Sequence, residues 1–322
     1  MEKVFVVGPF NGFMRSALEH ALPADAYKLE YLEDTCEYGQ LKDADYVILR
    51  TLPIDAEQMA NLKKARLIQR WGAGFDTVAI QEAGRRGIQV AVTSGMNATP
   101  VAEMVLALNL AIYRNLVPLT NGIIAGKWER EEYSKRSYTI WGKTVGIYGC
   151  GSIGKKVAHL YRAFGAEVIY YDPFRLTAQQ EQSLEINYVQ PEDLWKMSDI
   201  ITLHAPLTQQ TRQVISRDTL YKMKRNALLI NTAREEMIDY SAVAEALRTG
   251  GLLGAGFDAI EEGFVQSNPF AGMSNVVLSA HLGGNTVDNA VHMAARCAEQ
   301  ILAVSNGQRL AAPHLVNGQY LI

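Results

Sequence analysis

The sequence predicts an α/β protein of two domains, each built on a parallel sheet. Three observations support this: a length of 322 residues, short β-rich runs alternating with segments of helical spacing along most of the chain, and a restart of that alternation after Pro100. A single hydrophobic core seldom grows to this length, and domains of roughly 100–200 residues make two the natural count. The cleft between the two domains is the expected place for a site. Strands joined by helical crossovers pair in parallel, because each crossover returns the chain to the same end of the sheet.

In the first series the strands are expected at residues 4–7, 47–49, 67–68 and 88–92, with amphipathic segments between them. The second series runs through a helix from Val101, a strand at 144–148, a helix from Ile153 and a strand at 167–171. Further strands are expected near 200–203, 227–230, 253–257 and 276–278, and residues 286–305 have helical periodicity. The stretch 127–136, Lys-Trp-Glu-Arg-Glu-Glu-Tyr-Ser-Lys-Arg, mixes both signs of charge and reads as a solvated connector.

Apolar residues make up 48% of the chain and charged residues 20%, values of an ordinary folded protein. The formal charge is −3 and no Lys/Arg block occurs, so composition argues against a nucleic-acid or membrane partner and for a small-molecule one. The three cysteines, Cys36, Cys150 and Cys297, have no short spacing, which argues against a disulfide framework or a clustered metal site. The apolar run after Met1 is too brief for a signal segment, and the one at 101–113 is interrupted by Glu103 and Asn109 and too short for a bilayer. A cytoplasmic protein is expected.

The run Thr144-Val-Gly-Ile-Tyr-Gly149-Cys-Gly151-Ser152-Ile153-Gly154 places G-x-G-x-x-G directly behind a strand. Ile153, Val157, Leu160, Tyr161 and Phe164 then share one helical face, Gly165 stops the helix, and an apolar strand leads to Asp172. Each glycine has a task in dinucleotide binding. Gly149 permits the tight turn, Gly151 lets the main chain approach a pyrophosphate, and Gly154 lets helix and strand pack closely. The helix start offers N–H groups to the anion. Asp172 would accept hydrogen bonds from ribose hydroxyls and repel a 2′-phosphate, which favours NAD over NADP, although Arg175 lies nearby. A second match, Gly254-Ala-Gly256-Phe-Asp-Ala259, runs into a strand with no helix behind it and is set aside.

Nicotinamide chemistry on an alcohol or carbonyl needs a proton donor at oxygen and a cation to hold and polarise the substrate. Three successive strands end in Asn231-Thr-Ala-Arg234, Phe257-Asp258-Ala-Ile-Glu261-Glu262 and Ser279-Ala-His281, at the carboxyl ends where open α/β sheets bind ligands.

Together with Gly74-Phe-Asp76, Val101-Ala-Glu103, His204-Ala-Pro-Leu-Thr208 and Ala280-His-Leu-Gly-Gly284, these runs cover nearly the whole chain in order. In them the sequence resembles the D-isomer-specific 2-hydroxyacid dehydrogenase family. The resemblance implies two Rossmann-like or flavodoxin-like domains: residues 1–100 plus 291–322 as the substrate domain and residues 101–290 as the NAD-binding domain. It implies that Arg234 binds the substrate carboxylate and keto oxygen, that His281 exchanges the proton, and that Glu262 pairs with His281. It further places Gly149, Gly151, Ser152, Ile153, Gly154, Asp172, His204, Ala205, Pro206, Thr211, Thr232, Ala233, Asp258 and Gly283 at the cofactor. Ala73 and Gly74 would meet the substrate carboxylate through backbone N–H groups, and a homodimer through the nucleotide-binding domain is implied, with the apolar segment 101–113 beside Trp128.

The chemistry agrees, since a carboxylate beside an imidazole stabilises its protonated form and orients the ring. Two features depart from the family. Glu235 follows the arginine where glycine is usual, and the acidic loop is one residue shorter, so that Glu261 and Glu262 compete for one role. Aligning Pro269 and Phe270 with the family's Pro-Leu pair favours Glu262. Arg50, Trp71 and Met96 lie beside loops expected to reach the substrate, Arg50 as a receptor for a second anionic group. The expected function is hydride transfer between NAD(H) and a small 2-keto or 2-hydroxy acid. The alternative is a dinucleotide-sensing protein without turnover. Formate oxidation is disfavoured because relatives with that activity carry glutamine at the position given to Glu262.

Overall fold

Val4, Phe5, Val6 and Val7 are all buried in strand β1 (Glu2–Val7) of the computed structural model, which describes residues 1–321. A strand covered on both faces needs such an unbroken apolar run. With β2 (Tyr27–Leu32), β3 (Tyr46–Leu49), β4 (Leu67–Arg70) and β5 (Gln89–Val92) it forms a parallel sheet in the order β2-β1-β3-β4-β5. Alternation sorts the side chains. Val4, Val6, Tyr46 and Ile48 face Met14 and Leu18 of the helix Gly12–Ala21 and Met293, Cys297 and Ile301 of the helix Val287–Ser305. Phe5, Val7, Val47 and Leu49 fill the other layer. The edge strand β2 is not evident in the sequence: Lys28 and Glu30, paired at 2.9 Å, interrupt its apolar residues as suits an exposed edge.

The chain divides into two units, one comprising Met1–Asn97 and the segment from Gly284 onward, the other Ala98–Gly283. The second boundary falls seven residues before the one read from the sequence, because the helix Val287–Ser305, capped by the Thr286 side chain, belongs over its whole length to the first unit's core.

The second unit holds β6 (Thr144–Tyr148), β7 (Glu167–Tyr171), β8 (Ile186–Tyr188), β9 (Ile200–Leu203), β10 (Leu228–Asn231), β11 (Gly254–Phe257) and β12 (Val276–Leu278), all parallel. Their order, β12-β11-β10-β9-β6-β7-β8, reverses direction between β6 and β9. That reversal opens a crevice at the carboxyl ends of the strands. The helix Ala98–Tyr113 packs Val105, Leu108 and Ile112 into this core, while Glu103 and Ala107 are exposed. It also explains the second glycine match. A Cβ on Gly254 would lie 2.6 Å from Ile112 Cγ2, and one on Gly256 3.0 Å from Leu108 Cβ. These glycines serve helix–sheet packing. The charged stretch 127–136 contains a short helix, Arg130–Ser134, exposed except for Tyr133.

Among the described residues no single helix is long and apolar enough to cross a membrane. The bent pair Ala98–Tyr113 and Leu116–Ile124 passes only as a pair, and its first member is core.

Candidate active site

The glycine fingerprint sits at the β6–β9 crevice. Gly149 follows β6 with φ +96°, and its absent side chain leaves room for the chain after β9: a Cβ there would be 2.5 Å from Ala205 N and 2.7 Å from His204 C. Gly154 is equally constrained, since a Cβ would come within 2.3 Å of Gly149 O. Around Gly151, by contrast, a Cβ would meet nothing within 4 Å. The helix Ser152–Ala163 begins there with no side-chain cap, and no acceptor for the N–H groups of Ser152, Ile153 or Gly154 occurs among the described residues. Open space in front of uncapped helical N–H groups fits a pyrophosphate.

Asp172 closes this end. Its carboxylate accepts from Cys150 N and Phe174 N, both at 2.8 Å, and each oxygen keeps a lone pair for a ribose hydroxyl. Arg175 is turned away, held by Glu181 at 2.8 and 3.0 Å and stacked on Tyr188. Its charge is therefore matched without a 2′-phosphate.

Beyond β9, the His204 ring lies between Thr202 Oγ1 at 2.8 Å and Thr232 Oγ1 at 3.4 Å. Burial pushes its pKa down to about 3, so the imidazole is neutral at physiological pH. Thr211 holds the Pro206–Thr211 turn, donating to Pro206 O at 2.7 Å and accepting from Thr208 N at 2.7 Å. Its hydroxyl is used as a brace for the loop that carries Ala205 and Pro206.

The ends of β10 and β11 are joined through Asn231, the first residue of the Asn-Thr-Ala-Arg run. Its buried amide accepts from Ala233 N at 2.9 Å and donates to Arg234 O at 2.7 Å, while its own carbonyl accepts from Asp258 N. Arg234 is thereby fixed at its backbone, and its Nη1 donates to Ala233 O at 2.7 Å. An asparagine ending a strand three residues before a candidate arginine was the available signal.

Asp258 is buried and organises the His281 turn. Its carboxylate accepts from Leu282 N and Gly283 N, both at 2.9 Å, and its carbonyl accepts from His281 N at 2.8 Å. A Cβ on Gly283 would lie 2.7 Å from Asp258 Oδ2, so only glycine permits this clamp. His281 itself adopts φ +53°, a left-handed conformation costly for a residue with a side chain.

The clamp turns His281 Nδ1 to Glu261 Oε1 at 2.9 Å. The acidic partner is thus Glu261 and not Glu262, the residue preferred from the alignment with Pro269. Glu262 is exposed at the start of the 3₁₀ turn Glu262–Ser267. The turn anchors Phe264 in the core, and this decides which carboxylate reaches the histidine.

In the first unit, Arg50 follows β3, and Ala73 and Gly74 follow β4, all at carboxyl ends of the sheet. Arg50 Nη1 donates to Pro9 O. Thr93, unnoticed in the sequence, shapes the β4 loop: its hydroxyl accepts from Gly72 N at 2.9 Å and its N–H donates to Gly72 O at 3.0 Å. Arg70 Nε donates to Gly74 O at 2.9 Å. No acceptor for the N–H groups of Ala73 or Gly74 occurs among the described residues. Trp71 is core, packed edge-to-face on Phe10 with centroids 5.2 Å apart, and Met96 packs on the same cluster.

A seven-stranded parallel sheet with an open anion cradle at its reversal, and a histidine–carboxylate pair at adjacent strand ends, define a dinucleotide-dependent oxidoreductase. Comparison with known proteins narrows the class. Residues 106–283 match the model of the D-isomer specific 2-hydroxyacid dehydrogenase NAD binding domain. The chain is 35% identical over 282 residues to glyoxylate reductase of Korarchaeum cryptofilum, covering 86% of this chain and 84% of that one. It is 34% identical over 263 residues to hydroxypyruvate reductase of Thermotoga maritima, covering 80% and 84%. Among solved structures, the NAD-dependent formate dehydrogenase of Staphylococcus aureus in complex with NAD superposes with a TM-score of 0.84 at 25% identity, covering 98% of each chain.

The chain belongs to the D-isomer-specific 2-hydroxyacid dehydrogenase family. It is an NAD-dependent oxidoreductase that transfers hydride between NAD(H) and a 2-keto or 2-hydroxy acid.

Proposed function

We propose that the substrate is a small 2-keto acid of the glyoxylate or hydroxypyruvate type and that Arg234, His281 and Glu261 act on it. The relatives' activities support the substrate class. The observation that carries the residue assignment is the 2.9 Å contact between His281 Nδ1 and Glu261 Oε1 on the turn clamped by Asp258. With Nδ1 engaged by the carboxylate, Nε2 is the nitrogen assigned to the substrate oxygen, and it delivers the proton in reduction. Arg234 binds the carboxylate and polarises the keto group. Bound NADH supplies the hydride. The first unit serves as the substrate domain, with Ala73 and Gly74 N–H groups receiving the carboxylate and Arg50 a second anionic group where one is present.

Asp172 selects NAD(H) over NADP(H), supported by the engagement of Arg175 with Glu181. A dinucleotide sensor without turnover has no use for a strained histidine held by a carboxylate, so the pair favours the enzyme. The protein is a homodimer through the nucleotide-binding unit, by the helix Leu116–Ile124. None of its residues is buried, and Leu116, Val117, Ile123 and Ile124 expose apolar surface near Trp128. We place it in the cytoplasm, where the free thiols Cys36, Cys150 and Cys297 remain reduced.

Following NADH absorbance across a panel of 2-keto acids tests the reading. Turnover of glyoxylate or hydroxypyruvate is expected, with none of formate in the presence of NAD. His281→Ala should lower kcat by about 10²–10⁴-fold while NADH still binds. Inactivity on every 2-keto acid, or near wild-type turnover by His281→Ala, overturns it. A monomer in sedimentation at micromolar concentration removes the dimer.

A further inference from the structure

We infer that Glu235 is a positioning residue: its carboxylate holds the backbone of Glu261 and thereby keeps the Glu261 side chain on His281. The inference rests on the proposed pairing of Glu261 with His281. Glu235 Oε2 accepts a hydrogen bond from Glu261 N at 3.1 Å, across 26 residues of sequence. One end of this contact is rigid. Glu235 opens the 3₁₀ turn Glu235–Met237, whose Met237 is fully buried. That turn is closed by Ile238 N to Glu235 O at 3.0 Å and tied to the neighbouring segment by Gln213 N to Glu236 O at 2.8 Å and Ile215 N to Met237 O at 3.0 Å.

The other end is held by local bonds: Glu261 exposes 61% of its side chain, its carbonyl accepts from Phe264 N, and before it Ile260 N donates to Asp258 O. A charge-assisted bond from Glu235 to the Glu261 N–H adds a second constraint on where the carboxylate sits, beside the Phe264 anchor of the following turn.

Two departures from the family pattern meet in this contact. A glycine at 235 would have no side chain to reach the loop, and the loop is one residue shorter than usual, which moves the histidine's partner to Glu261. The acidic side chain next to Arg234 is accounted for by the same contact, since one of its oxygens is committed to the Glu261 N–H. The other charged groups of this unit around His281 are Asp258, whose carboxylate is taken up by Leu282 N and Gly283 N, with Arg234, Glu236 and Glu262 on the adjoining turns.

The test is the pH profile of kcat for keto-acid reduction in wild type, Glu235→Ala, Glu235→Gln, Glu261→Gln and the Glu235→Ala/Glu261→Gln double variant. Removing the Glu261 charge should move the alkaline limb down by about one pH unit. Glu235→Ala should move it by roughly 0.3–0.6 unit, because the carboxylate is displaced and not deleted. Glutamine keeps an acceptor without the charge, so Glu235→Gln should follow the wild-type limb. The double variant should match Glu261→Gln alone, since a tether has nothing left to position. NADH affinity, unchanged throughout, reports an intact fold. A wild-type limb in Glu235→Ala, or equal shifts in the alanine and glutamine variants, overturns the tether while leaving the His281–Glu261 pair standing. An unmoved limb in Glu261→Gln removes the pair and the tether together.

Discussion

At the end of β6 the anion cradle is made of main chain, with Gly149 and Gly154 pressed against neighbouring backbone and the first N–H groups of the helix Ser152–Ala163 open in front of them. At the ends of β10, β11 and β12 the working surface is made of side chains, carried on turns that other side chains brace. The first arrangement is rigid because close backbone contact leaves no room for adjustment. The second is adjustable: a histidine with 43% of its side chain exposed, in a left-handed conformation, is aimed by a clamp and a partner on separate loops. A backbone cradle suits a cofactor whose pyrophosphate is always the same. A side-chain site can be retuned to different acids without disturbing that cradle.

The contrast is sharpest in its response to a single methyl group. Gly154→Ala places Cβ 2.3 Å from Gly149 O, and neither backbone can move without opening the β6–helix junction. NADH affinity should fall by more than about tenfold with a stability loss on the order of 1–3 kcal/mol, measured by fluorescence titration and thermal melting. An unaltered titration would show that the cradle is not backbone-limited. Asp172→Ala tests the proposed ribose contact at this end. The preference for NADH over NADPH should shrink by roughly an order of magnitude in paired titrations, through loss of the ribose hydrogen bonds and of the charge opposing a 2′-phosphate.

This difference in material also governs what could be read in the sequence. Backbone pressed on backbone needs glycine at fixed spacing, so Gly149 and Gly154 stand out in the sequence, and the apolar runs of buried parallel strands announced most of both sheets. The side-chain site showed its residue types but not its register. Glu261 and Glu262 are chemically identical, and the choice between them depends on how Phe264 anchors the following turn, a long-range packing fact. The bracing roles of Asn231 and Thr93 were not legible, because polar residues at strand ends are common and those roles exist only once the strands are assembled. The edge strands β2 and β8 lack continuous apolar runs, since Lys28 and Asn187 occupy exposed positions and Glu30 a half-buried one.

His204 belongs to the rigid end, and its response to acid should mark it as such. Its folded pKa, near 3, lies below that of an exposed imidazole, so the unfolded chain binds the proton first. Stability tied to neutral His204 is complete above about pH 6.5 and is lost progressively as pH falls toward 3. The melting temperature should drop by a few degrees between pH 6.5 and 5.5, and His204→Gln should flatten that slope. Equal slopes in the two proteins would place the acid sensitivity elsewhere.

The adjustable end is tested most directly by comparing the pH dependence of keto-acid reduction in Glu261→Gln and Glu262→Gln. In the proposed function His281 is the proton donor, and the carboxylate 2.9 Å from its Nδ1 is the charge that the substitution removes. Glu261→Gln should shift the alkaline limb downward by about one unit, and Glu262→Gln should leave it in place. A shift confined to Glu262→Gln would contradict the pairing seen in the structure and restore the register favoured by the sequence alignment.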